Sequence, residues 1–113
     1  MLSKAKRLKK KRDFTMVYNR GRSYVSDLFV MYVYHTSKDE RLCGFSISRK
    51  VSKACLRNRI KRLASEALRQ MLPETAAGTR LVFVARKGAA DADYGRIQRT
   101  VAALLKKAGL FSK

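Results

Sequence analysis

Between residues 52 and 72, Leu56, Ile60, Leu63, Ala64, Ala67, Leu68 and Met71 recur at intervals of three and four, and Pro73 closes the run. That rhythm winds one apolar stripe along an α-helix and excludes a strand, whose side chains alternate from one residue to the next. Proline ends such a helix because it has no amide hydrogen to give and its ring strikes the preceding turn. With about 100° of turn per residue, Asn58, Lys61, Arg62, Ser65 and Arg69 fall opposite the stripe, and Arg57 and Arg59 lie on its borders. From Arg49 to Arg69 the chain holds eight basic residues (Arg49, Lys50, Lys53, Arg57, Arg59, Lys61, Arg62, Arg69) and one acid, Glu66. Like charges three and four apart weaken a helix by a few tenths of a kcal/mol per pair, a cost that contact with a polyanion removes. A merely solvated basic face is the alternative, and the shortage of compensating carboxylates counts against it. Residues 52–55 form the predicted first turn, where free backbone N–H groups and the helix dipole attract phosphate, and Lys50 and Lys53 extend that site.

The rest of the chain reads as follows. Asp13 is the expected N-cap of a short first helix with Phe14, Val17 and Tyr18 in register, and Gly21 its C-terminal cap. From Leu28 the period becomes two, with Leu28, Val30, Tyr32 and Tyr34 on one face and Phe29, Met31, Val33 and His35 on the other. Both faces are largely apolar, which places this strand inside a sheet covered on at least one side. Residues 37–40 supply a polar turn before a second run at 42–48, a pattern that predicts an antiparallel pair. A further strand is expected at 81–85, and after Asp91 and Asp93 a last helix carries Tyr94, Ile97, Val101, Leu104, Leu105 and Ala108, with Gly109 just past its end. The order is α, β, β, α, β, α, with place for a short extra strand at 23–26.

At 113 residues the chain suits one domain spanning 1–113, and an apolar content of 46% supplies a core. Its 27 lysines and arginines against 8 aspartates and glutamates give a formal charge of +19. So large an imbalance collects polyanions, which makes nucleic acid the expected partner and a membrane surface a distant second. Residues 1–12 hold seven basic side chains and no acid, the composition of a flexible basic arm. No apolar stretch reaches the roughly 18 residues of a membrane span, and the basic start lacks the apolar core of a signal peptide, so a cytoplasmic protein is expected. Cys43 and Cys55 fit no metal spacing and are read as free, partly buried thiols. His35 is the sole histidine, no glycine-rich phosphate loop occurs, and Asp39, Glu40, Asp91 and Asp93 sit where acids cap and solubilise. Catalysis by the polypeptide alone is therefore not expected. Phe14 and Tyr18, one helical turn apart, are suited to stack on unpaired bases together with Tyr32, and equally to hold the first helix against the sheet.

Residues 44–63, GFSISRKVSKACLRNRIKRL, with Arg57-Asn58-Arg59 at their centre, resemble the signature of the bacterial ribonuclease P protein family. The likeness extends over nearly the whole chain, through Leu8-Lys9-Lys10, Arg12-Asp13-Phe14, Phe29-Val30-Met31-Tyr32 and Val84-Ala85-Arg86-Lys87. Tyr18 stands where phenylalanine is common, and Ser52 where glycine is. The resemblance implies an α/β (α+β) two-layer sandwich, a mixed sheet of about four strands with three helices, containing a left-handed βαβ crossover against the usual rule. It further implies a subunit of an endoribonuclease that removes the 5′ leader of precursor tRNA, in a 1:1 ribonucleoprotein. Arg49, Lys50, Lys53, Arg57, Asn58, Arg59, Lys61, Arg62 and Arg69 would meet the catalytic RNA, and Phe14, Tyr18, Val30 and Tyr32 would line the leader cleft. The cut would fall to the RNA and its Mg²⁺ ions, with no catalytic residue and no cofactor on the protein. A structural ribosomal-type RNA-binding protein without a leader site is the alternative.

Overall fold

The computed structural model describes residues 6–111. Along them run α1 (Lys11–Arg20), β1 (Arg22–Val25), β2 (Phe29–His35), β3 (Arg41–Ser46), α2 (Ala54–Met71), β4 (Thr79–Ala85) and α3 (Tyr94–Lys107). The strands form one mixed sheet in the order β1-β2-β4-β3, with β4 antiparallel to β2 and parallel to β3. This is the expected α+β sandwich of three helices and four strands, and β1 is the short extra strand. The expected antiparallel pairing of the second strand with the third does not form, because β4 lies between them. Their connection instead arches over the start of β4. The Thr36 amide donates to the Gly78 carbonyl (2.8 Å), and the amides of Gly78 and Thr79 both donate to the Glu40 carbonyl (2.7 and 3.1 Å). Gly78 turns there with φ of 81°, a conformation that a side chain would strain. Local sequence could not reveal this insertion, since a polar turn between two strands looks the same whether or not a third strand enters later.

The main core fills the space between the sheet and the pair α2 and α3. Phe29, Met31, Val33, Cys43, Leu81 and Phe83 meet Ile60, Ala64, Leu68, Ile97, Val101 and Leu105, all buried. The Phe83 ring meets Phe29 edge-on with centroids 6.0 Å apart and stacks on Phe45 at 5.8 Å. On the opposite face lies α1, whose Val17 is fully buried with Val82 and Leu8. The period of two in β2 thus divides its side chains as predicted, with one exception. Leu28 precedes the strand and turns into the main core.

The ends of α1 differ from expectation. The helix begins before Asp13, with Lys10 at its cap and no side-chain hydrogen bond there. Asp13 pairs instead with Arg80 (3.5 Å), which also donates to Glu40 (2.9 Å). Gly21 does cap the C-terminus, in an extended conformation, and it is needed for closeness. A Cβ there would lie 2.4 Å from the Val17 carbonyl oxygen and 2.8 Å from that of Val33. At α3 both signals hold. Asp93 accepts from the Arg96 amide (2.8 Å), and Gly109 at φ of 68° lets the Leu110 amide reach the Leu105 carbonyl (3.0 Å).

Over residues 8–12 the chain is held in place and is not the free arm expected for 1–12. Residues 1–5 lie outside the described residues, whereas the Leu8 amide donates to the Cys43 carbonyl (2.9 Å) and Lys11 and Arg12 belong to α1. Leu8 has an apolar seat to fill beside Val17, which fixes the chain along the outer edge of β3. Among the described residues no helix is long and apolar enough to cross a membrane.

The two thiols are unlike. Burial pushes Cys43 up to about 12, while Cys55 is exposed on the first turn of α2. At neutral pH a thiol reagent is expected to modify Cys55 alone in the native protein, and both cysteines in denaturant. Rapid modification of both in the native protein would mean that β3 is not packed as described.

Candidate nucleic-acid interface

The long helix α2 presses Ile60, Ala64, Ala67 and Leu68 into the molecule. Ser65, expected on the outward face, is buried as well. The reason is that α3 packs alongside α2 and widens the covered arc beyond the apolar stripe. Outside that arc stand Asn58, Lys61 and Arg62, exposed, with Arg57 and Arg59 half-buried on the borders. The helix also starts later than the sequence suggests, with Lys53 at the cap position, so Ser52 lies outside the first turn. Its carbonyl instead accepts from Arg57 Nη1 (2.8 Å), which ties the approaching segment to the helix. Ahead of it, the amides of Lys50 and Val51 bond back to Ser48 Oγ (3.1 Å) and the Ser48 carbonyl (3.0 Å). This tight turn holds Arg49 and Lys50 out in solvent. No acid lies in the first turn of α2 and no side chain caps it. Its leading N–H groups are therefore left without a side-chain cap, at the end of the helix next to Lys53.

Arg69 departs from the expected ridge. It grips Glu66 with two hydrogen bonds, Nε to Oε2 at 3.1 Å and Nη2 to Oε1 at 2.5 Å, and hydrogen bonding by Arg69 holds the Glu66 carboxyl below its usual range. The other ion pairs among the described residues join Arg80 to Asp13 and Glu40, and Arg96 to Asp27. None reaches Arg49, Lys50, Lys53, Arg57, Arg59, Lys61 or Arg62. The structure thus gathers these seven cations along one turn and one helix face without a carboxylate partner among the described residues.

The face of the sheet that carries α1 holds the second part of the site. Successive rows of neighbouring residues cross the strands. One runs Ser23, Tyr32, Val82, Gly44, and the next runs Val25, Val30, Val84, Ser46. The first row lies beneath α1. The Phe14 ring sits over Gly44, close enough that a Cβ on Gly44 would come 2.4 Å from Phe14 Cζ. The Tyr18 ring meets Tyr32 edge-on at 5.1 Å and an interplanar angle of 82°. Phe14 is thus engaged in packing, whereas Tyr18, packed by one edge on Tyr32, remains 36% exposed. The second row continues the same face of the sheet next to the row that α1 covers. It includes Val25, 52% exposed, along with half-buried Val84 and Ser46, which the sequence did not single out. Their signal is register, which appears only once β4 is known to lie beside β2. Ser46 ends β3 a few residues before Arg49, so this row ends near the basic turn. No three His, Cys, Asp or Glu side chains among the described residues are grouped to hold a metal ion.

The chain has relatives in both sequence and fold. The ribonuclease P family model matches residues 2–109. The ribonuclease P protein component of Clostridium kluyveri is 43% identical over 107 residues, 93% of this chain and 96% of that one. The corresponding Clostridium botulinum protein is 40% identical over 110 residues, covering 96% and 99% of the two chains. Among solved structures, the Staphylococcus aureus RNase P protein superposes with a TM-score of 0.88 at 34% identity, covering 96% of this chain and all of that one. The Thermotoga maritima protein gives 0.81 at 28% identity over 89% of this chain and 96% of its own. Sequence and fold agree, and the chain belongs to the family of bacterial ribonuclease P protein components.

Proposed function

We propose that this protein docks on the catalytic RNA of ribonuclease P through Arg49, Lys50, Lys53, Arg57, Asn58, Arg59, Lys61 and Arg62, and holds the 5′ leader of precursor tRNA in the cleft beside α1. The carrying observation is a run of cations without carboxylate partners among the described residues, near a sheet face that carries the Tyr18 and Tyr32 rings. The cations screen phosphate repulsion and hold the RNA backbone, while Tyr18, Val30 and Tyr32 offer apolar and π surface to unpaired bases. The polypeptide contributes positioning. Hydrolysis of the leader bond belongs to the RNA and its Mg²⁺ ions, in a particle of one protein and one RNA in the cytoplasm.

The test compares precursor and mature tRNA on the reconstituted particle. Leader-bearing substrate is expected to bind more tightly, and equal affinity would favour a ribosomal-type packaging protein with no leader site. Tyr18→Ala sharpens the comparison, because stacking on one base contributes about 1–3 kcal/mol. This variant is expected to weaken precursor binding about tenfold and to leave mature tRNA unchanged. Equal weakening of both would mean that Tyr18 only packs.

A further inference from the structure

At the opposite end of β2 from Val30, the residues Arg20, Arg22, Tyr24, Val33, Tyr34 and His35 line a cavity of about 430 Å³. Chain connectivity creates it. Helix α1 ends at Arg20, and pairing of β1 with β2 begins only at Arg22 and Val33, so Tyr34 and His35 have no neighbour on that edge. Gly21 holds the two arginines close, its amide bonded to the Val17 carbonyl (2.8 Å) and its α-carbon tight against the Val33 carbonyl. Arg20, Arg22 and His35 are exposed, no acid lines the cavity, and no ion pair among the described residues takes up either guanidinium. A second cavity of about 300 Å³ beside α3 differs on this point, since it contains Asp27, already paired with Arg96.

Two guanidiniums flanking one hollow without a counter-charge repel each other, and each presents the forked donors that suit phosphate. Tyr34 and Tyr24 add ring surface, and the volume lies within the range of small-ligand sites, with room for one nucleotide. A duplex keeps its bases stacked away from such a pocket, whereas an unpaired strand can turn one in. We infer that this cavity takes one unpaired nucleotide of an RNA strand, its phosphate between Arg20 and Arg22 and its base against Tyr34. The site stands apart from the leader cleft and does not depend on that reading, since any strand crossing this end of the sheet could occupy it.

Adenosine 5′-monophosphate, adenosine and inorganic phosphate serve as probes in NMR titrations of the protein. The monophosphate is expected to shift Arg20, Arg22, Tyr34 and His35 saturably, with each part alone binding about tenfold more weakly. In Arg20→Gln/Arg22→Gln, substitutions at exposed positions that should leave the circular dichroism spectrum unchanged, these shifts are expected to vanish. The salt dependence of RNA binding should flatten by about one to two contacts. Shifts confined to residues 49–62, an equal response to phosphate alone, or an unchanged salt slope would each overturn the assignment. The wild-type titration decides the matter even if the double variant is unstable.

Discussion

Replacing Lys53, Lys61 and Arg62 together by alanine is expected to weaken binding of the partner RNA about a hundredfold at physiological salt without altering the fold. All three are exposed and none is engaged by a carboxylate among the described residues, so their removal takes nothing from the interior. Each phosphate contact releases roughly 0.7–0.9 of a counterion, which near 0.15 M salt corresponds to about four- to fivefold in affinity. Lost contacts multiply, and the slope of log affinity against log salt should fall by about two to three. Melting temperature should stay level or rise slightly, since neighbouring like charges on the helix are removed. Arg57 is left out because its guanidinium also anchors the Ser52 carbonyl, and Arg69 because Glu66 already holds it. The parallel variant Arg69→Ala should therefore change RNA affinity far less. An unchanged salt slope in the triple variant would sink the docking surface proposed on α2.

That contrast between Arg62 and Arg69 marks the limit of what a helical wheel reveals. The wheel places both outward, each within one turn of Glu66, but only the structure shows that Glu66 pairs with Arg69. The stripe of α2, the alternation of β2, the Asp93 cap and the Gly109 stop were all legible, because each rests on contacts within a few residues along the chain. Strand order was not, since the insertion of β4 between β2 and β3 joins segments roughly 40 to 55 residues apart. The same ignorance hid Val84 and Ser46 from the cleft and made Leu8 look like part of a loose arm. Ser65 was misplaced for a related reason: the wheel accounts for one neighbouring layer, and α2 has both the sheet and α3 beside it. Charge was legible as a total, whereas its partners depend on the third dimension.

Substituting Gly44 by alanine tests the joint between fold and cleft. The added methyl would lie 2.4 Å from Phe14 Cζ, 2.7 Å from Cε1 and 3.2 Å from Leu8 Cβ. The Phe14 ring must give way, and it stands on the first turns of the helix that walls the cleft, so displacing it tilts α1 against the sheet. Overfilling of this kind costs about 1–3 kcal/mol, equivalent for a chain of this size to a melting temperature lower by about 5–15 °C. Movement of α1 also carries Tyr18 away from Tyr32, so affinity for leader-bearing tRNA should fall while docking through α2, on the other side of the sheet, is retained. A shorter side chain should relieve the clash. In Gly44→Ala/Phe14→Leu both stability and leader preference are expected to recover beyond the sum of the single changes, the sign of direct contact in a double-mutant cycle. Strict additivity would show that the ring does not rest on Gly44, and the wall of the cleft would have to be placed elsewhere.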